Sequence, residues 1–162
     1  MVLMTNKTQI DALDARILLA LDEDHEATTL SLARTLGSAR NTVHARLKKM
    51  RERRVLGRSS RRVVPSSLGY DMTAFVEVSI TQGRADVAYV AISTIPEVIE
   101  AHATTGVSDL LIKVVARDTA DLHRVTNEVL SAPGVERTST SLSLEEVIPY
   151  QLASLLRQAA TQ

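Results

Sequence analysis

Between residues 73 and 144 apolar side chains recur first at every second position and then at helical spacing, and the sequence runs through that change twice. A chain patterned in this way must lay helices against a sheet. Residues 73–80 alternate, with Ala74, Val76, Val78 and Ile80 on one side, as a half-buried strand does. A helix is expected over 85–95 with Val87, Val90, Ala91 and Ile95 inward, ended by Pro96. Residues 98–104 and 110–116 read as strands around a turn, Thr105-Gly106-Val107-Ser108-Asp109. Asp118 or Thr119 can cap a second helix through Leu122, Val125, Val129 and Leu130, which Pro133-Gly134 stops before a strand over 135–144. The order β-α-β-β-α-β predicts an α+β, ferredoxin-like layer of helices on one face of an antiparallel sheet.

The first part of the chain is helical. Asp11 is a plausible N-cap for a helix in which Leu13, Ile17, Leu18 and Leu21 face inward. After the acidic stretch 22–26, Thr29 can cap a two-turn helix with Leu30, Ala33 and Leu36 as its inner stripe, stopped by Gly37. Ser38 then caps a third helix whose buried face is Val43, Leu47 and Met50, at i, i+4 and i+7. A short helix, a tight glycine turn and a longer helix make a helix-turn-helix, whose second helix enters the major groove of DNA. The turn-rich run 64–69 marks a boundary. A DNA-binding domain is therefore expected over 1–64 with a hinge to about 72, and a second domain over 73–162, where Pro149 opens a terminal helix running to about Ala160.

Charge supports the division. The formal net charge is zero, yet residues 31–62 carry eleven bases and one acid while residues 63–162 carry six bases and twelve acids. A neutral average over so polarised a chain points to one region that meets a polyanion. Aromatic residues are 2%, so the stacking platforms used for single strands are missing and duplex DNA is favoured. There is no cysteine, which excludes thiolate chemistry, disulfides and cysteine-built metal sites. The four histidines are scattered, no metal or cofactor is expected, and no stretch is apolar enough for a membrane span, so a cytoplasmic protein is expected.

The outward positions of the third helix suit DNA. Ser38, Arg40, Asn41, Thr42 and His44 lie at its start, followed by Arg46, Lys48 and Lys49. Arg can pair with guanine and Asn with adenine, whereas the later bases would neutralise phosphates. Residues 57–62, with Arg58, Arg61 and Arg62, fit a basic wing against the backbone. A solvated basic face is the plainer alternative for any such helix, but not for one in this spacing and this charge setting.

Several residues together carry a resemblance. Leu13-Asp14 with Ile17, Leu32-Ala33, Arg46-Leu47 and Val55-Leu56 before a basic wing, the hinge Val64-Pro65 with Leu68-Gly69, Thr105-Gly106 with Asp109, and Pro133-Gly134-Val135 resemble the leucine-responsive and asparagine-responsive (Lrp/AsnC) regulators. The resemblance implies an N-terminal winged helix-turn-helix, a C-terminal effector-binding (RAM) domain, and assembly through the C-terminal sheets into dimers, tetramers or octamers. It places a small effector, commonly an amino acid, at the loop between the second and third strands. Carried onto this chain, that loop is Thr104, Thr105, Gly106, Val107, Ser108 and Asp109, with His102 on the approaching strand and Thr138 and Thr140 as a neighbouring subunit's contribution. Gly106 amides could take a carboxylate and Asp109 an ammonium; an ordinary hairpin turn is the alternative. Two departures stand out: Arg54 occupies the position of a helix-ending glycine, and Leu110 follows the loop aspartate in place of an aromatic residue.

Two other functions remain open from the sequence. Siroheme decarboxylases look similar in both domains, which allows a tetrapyrrole enzyme, although His102 and His123 are the only histidines in the second half. A purely structural partner-binding module would leave the basic segment as unexplained self-repulsion. No nucleophile elbow, phosphate loop or acid–base carboxylate pair is present, so no catalytic residue is expected.

Overall fold

The computed structural model describes residues 10–56 and 63–161. The chain divides into two compact units, one of Met1–Arg61 with Ile148–Gln162 and one of Arg62–Val147. Residues 148–162, expected with the second domain, return to the first.

In the first unit α1 (Ala12–Glu23) begins with a capping box. The Asp11 carboxylate accepts the Asp14 N–H at 2.9 Å, and the Asp14 carboxylate accepts the Asp11 N–H at 3.4 Å. α2 (Thr29–Thr35) is capped by Thr28, one residue before the expected Thr29, whose Oγ1 accepts from Ser31 N–H. Its end is closed by Gly37 at φ 62°: Gly37 N–H donates to Arg34 O and Ser38 N–H to Ala33 O. That use of Ser38 explains why it does not cap α3 (Arg40–Glu52). The cap is Ala39, which offers no side-chain acceptor. Ile17, Leu32, Ala33, Val43, Leu47 and Met50 form the core. Leu30 is exposed, so the inner stripe of α2 is Leu32, Ala33 and Leu36. The last helix, α6 (Ala153–Ala160), starts four residues beyond Pro149 and packs on α1.

The second unit opens with a 3₁₀ turn (Pro65–Leu68) and holds β1 (Met72–Ile80), α4 (Ala85–Ser93), β2 (Val98–Ala103), β3 (Leu110–Ala116), α5 (Thr119–Leu130) and β4 (Val135–Leu142). The strands form one antiparallel sheet in the order β2-β3-β1-β4, the expected ferredoxin-like arrangement. Ala74, Val76 and Val78 of β1 and Leu110, Ile112 and Val114 of β3 meet Ile92 and Ile95 from and just after α4, and Val125 and Val129 from α5. Each fully buried valine or isoleucine here is worth about 1.5–3 kcal/mol.

α4 is rotated from its expected phase: Ala88, Ile92 and Ile95 are buried, whereas Val87 and Val90 face outward. The cause is space. Gly134, at φ 91°, approaches so closely that a Cβ there would lie 2.9 Å from Arg84 O and 3.4 Å from the Ala88 Cβ. Only a small residue such as Ala88 fits at that point of the helix.

Candidate functional site

α3 presents two faces. Val43, Leu47 and Met50 are buried, and Arg40, Asn41, Thr42, His44, Lys48 and Lys49 are exposed. The helix has no acidic residue in its first turn, and Lys49 and Arg51 lie in its last. Because no side chain caps α3, the first-turn amides and the positive end of the helix dipole stand beside Arg40 and Asn41, an arrangement that favours a phosphate. Glu52 is exposed and lies 3.9 Å from Lys48, too loosely held to cancel it. Ser38 is half-buried at the turn rather than on the outward face. Arg58, Arg61 and Arg62 lie outside the described residues.

Arg46 differs from the other bases of α3. Its Nη1 donates to Asp11 at 2.5 Å and to Asp14 at 2.8 Å, so its guanidinium is committed to α1. Its hydrogen bond to Arg46, aided by the Asp14 backbone, holds the Asp11 carboxyl below the usual aspartate value, and the same pairs hold Arg46 above its own. Arg46, expected among the DNA contacts, is thus placed in an ion pair with α1 in the absence of DNA. The Asp-x-x-Asp spacing signals a capping box in sequence, but nothing local reveals a partner on α3.

After α3 the chain turns at Arg54 with φ 58°, the only non-glycine residue in the left-handed region among the described residues. Arg54 N–H donates to Arg51 O and Val55 N–H to Met50 O, the same closure that Gly37 makes for α2.

In the second unit the loop 104–109 is a tied turn with a free tip. Thr104 N–H donates to Asp109 O at 3.0 Å and Thr104 Oγ1 to Ser108 O at 2.8 Å. Asp109 N–H donates to Val78 O, and an Asp109 carboxylate oxygen accepts Ile80 N–H at 2.7 Å. Between these ties Thr105 and Gly106 are exposed, Gly106 has φ 127° with open space around it, and Val107 is 87% exposed. His102 is on the opposite sheet face from the core and pairs with Glu100 at 2.9 Å, away from the tip's backbone. Thr138 stands in register with Val78, which is itself opposite Leu110, so two strand spacings, about 10 Å, separate Thr138 from the base of the loop. Thr140, opposite Val76, is one step farther away.

Other polar chemistry is structural in appearance. Arg124 joins Glu97, Asp121 at 2.7 Å and Glu128 at 3.0 Å, and the Arg117 guanidinium covers the Tyr70 ring at 5.1 Å. Asp121 is held below its usual pKa by the Arg117 N–H and by Arg124. A groove of about 370 Å³ between α4 and β2 is lined by Tyr89, Ile92, Val98 and Ile99. Among the described residues there is no cluster that could hold a metal ion and no helix long and apolar enough to cross a membrane.

Residues 10–51 match the model of the AsnC-type helix-turn-helix domain, and residues 73–152 match that of the Lrp/AsnC ligand binding domain. The HTH-type transcriptional regulator FL11 of Pyrococcus abyssi is 32% identical over 140 residues, 86% of this chain and 92% of its own length. E. coli AsnC superposes with a TM-score of 0.80 at 29% identity, over 89% of this chain and 98% of that one. A transcriptional regulator from Neisseria meningitidis, solved as a complex with L-Met, gives 0.79 at 25% identity, over 90% and 99%. With both units matched and such relatives similar along most of their length, the chain belongs to the Lrp/AsnC family of transcriptional regulators.

Proposed function

We propose that this regulator reads duplex DNA through the exposed start of α3 and answers to an amino acid bound at the loop 104–109. The observation that carries the DNA reading is the uncapped N-terminus of α3 with Arg40, Asn41, Thr42 and His44 exposed around it. Base-edge contacts from these residues would give sequence preference, while Lys48, Lys49 and the basic run through Arg58, Arg61 and Arg62 would supply the phosphate term. The free tip at Gly106 offers backbone amides to a carboxylate. One carboxylate oxygen of Asp109 is already used by Ile80, which leaves the other for an ammonium group. The L-Met complex of the Neisseria relative supports an amino acid as the ligand class. Thr138 and Thr140 would join the site from a neighbouring copy, in keeping with dimers and higher oligomers of a cytoplasmic protein.

A regulator also accounts for the second unit better than an enzyme does. That unit holds two histidines, on different elements, His102 of β2 beside Glu100 and His123 of α5 beside Asn127, a sparse set that favours a regulator over a tetrapyrrole enzyme. Binding to genomic fragments at two salt concentrations, with and without the twenty amino acids, tests the proposal. Sequence-preferring, salt-sensitive binding altered by one amino acid is expected. Binding indifferent to every amino acid would remove the effector part, and no DNA binding at all would remove the whole.

A further inference from the structure

The basic segment of this chain receives two negative charges from elsewhere. Asp11 and Asp14, at the start of α1, both reach Arg46 in the middle of α3. For a protein that binds DNA by electrostatics alone these carboxylates are a handicap, since they repel phosphate and occupy a guanidinium that could meet one. Their position on the two helices suggests another use.

Arg46 lies three residues after Val43 and four before Met50, so it flanks the buried stripe of α3 instead of its outward face. Its side chain is 31% exposed, against 71% for Lys48 two residues on. The apolar core beneath it, with Val43, Leu47 and Met50 buried, sets the phase of α3 but makes no directional bond that would hold its last few degrees of rotation. Ion-paired hydrogen bonds can, because they require a defined direction. Each aspartate also has its remaining oxygen engaged in the capping box of α1, so neither can follow Arg46 elsewhere without uncapping that helix.

We propose that Arg46 is a positioning residue which, clamped by Asp11 and Asp14, fixes the rotation of α3 and thereby the base preference of Arg40 and Asn41. This rests on the reading of α3 as the recognition helix. The clamp acts on specificity: random DNA needs only charge, whereas base readout needs side chains held within a fraction of an ångström.

The test uses the full chain with Asp11→Ser and Asp14→Gln combined. Ser-x-x-Gln retains a capping box and removes both carboxylates, so α1 keeps its start while Arg46 loses its anchors. Dissociation constants are measured on the best site and on a random duplex across a salt series, alongside Arg46→Met and Arg40→Ala, with thermal unfolding to confirm that each variant is folded at the assay temperature. The double variant should bind random DNA as tightly as before or more tightly, while its preference for the best site falls about tenfold; Arg46→Met should lose the same preference. If instead Arg46→Met weakens both duplexes alike and lowers the salt slope by about one, Arg46 is a phosphate contact and the proposal fails. It also fails if the folded double variant keeps its preference. Should Arg40→Ala leave preference unchanged, the recognition-helix reading itself is wrong and the clamp falls with it.

Discussion

The carboxylate of Asp109 accepts the backbone N–H of Ile80 at 2.7 Å. β3 begins at Leu110, opposite Val78, so β1 runs two residues beyond its partner there and the side chain of Asp109 completes the ladder. The loop aspartate therefore has a structural duty besides any toward a ligand. Asp109→Ala should cost about 1 kcal/mol by orphaning the Ile80 amide and should also abolish the ligand response. Asp109→Asn retains an acceptor for Ile80 and removes only the charge. It should unfold like wild type yet bind amino acid at least tenfold more weakly by calorimetry. Equal binding by the asparagine variant would remove the ammonium contact from the site.

Gly134→Ala tests the packing that rotates α4. A left-handed alanine is strained, and its Cβ would meet Arg84 O at 2.9 Å, a backbone atom that cannot swing aside. A loss of about 3 kcal/mol in urea unfolding is expected, against about 1–2 kcal/mol for alanine at Gly106, where φ is again positive but nothing lies within 4 Å.

The same position shows why part of the fold was hidden in the sequence. The strand period of β1 is unambiguous because Phe75, Glu77 and Ser79 separate its buried residues. In α4, by contrast, Val87, Ala88, Val90, Ala91 and Ile92 allow several inward phases, and the choice is made by the approach of Gly134, distant in the chain. Ser38 and Ala39 present a similar case. Serine has the better capping side chain, but its backbone is already closing α2. The outward face of α3 was legible, since helical spacing alone separates Arg40 and His44 from Val43 and Leu47. The reach of Asp11 to Arg46 and the return of α6 to α1 were not, because a pairing between distant elements leaves no local period.

Readout and attraction should separate on α3. Arg40→Ala or Asn41→Ala should cost about 1–3 kcal/mol on the best site and much less on random duplex. Lys49→Ala should weaken both alike and reduce the slope of log affinity against log salt by about one. Fluorescence anisotropy on two duplexes at several salt concentrations measures all three. Equal losses for every variant on both duplexes would mean that α3 attracts DNA without reading it.

The Asp11–Arg46 pair makes an acid-dependent contribution. The carboxyl is held below its usual value, so the pair stabilises the fold fully above about pH 4 and the contribution is lost as pH falls through the folded-state value, while Arg46 stays charged throughout. Asp11 is half exposed, which limits the effect to under about 1 kcal/mol. Urea midpoints between about pH 6 and pH 2 should fall less steeply for Asp11→Ser than for wild type. Parallel curves would show that the pair adds nothing to stability.

Arg54 sets backbone comfort against charge in one residue. At φ 58° an arginine is strained where glycine is at ease, and the turn is closed by backbone hydrogen bonds that need no side chain. Arg54→Gly should therefore stabilise the fold by about 1 kcal/mol and raise the thermal midpoint by about 2–4 °C. The exposed cation that it removes belongs to the basic segment, so affinity for random duplex should fall and the salt slope with it. Opposite movements of stability and affinity in a single variant would mean that strain at this turn is maintained in exchange for a phosphate contact. A higher midpoint with unchanged DNA binding would place Arg54 away from the backbone of DNA, and an unchanged midpoint would show that the two closing hydrogen bonds already hold the turn without strain.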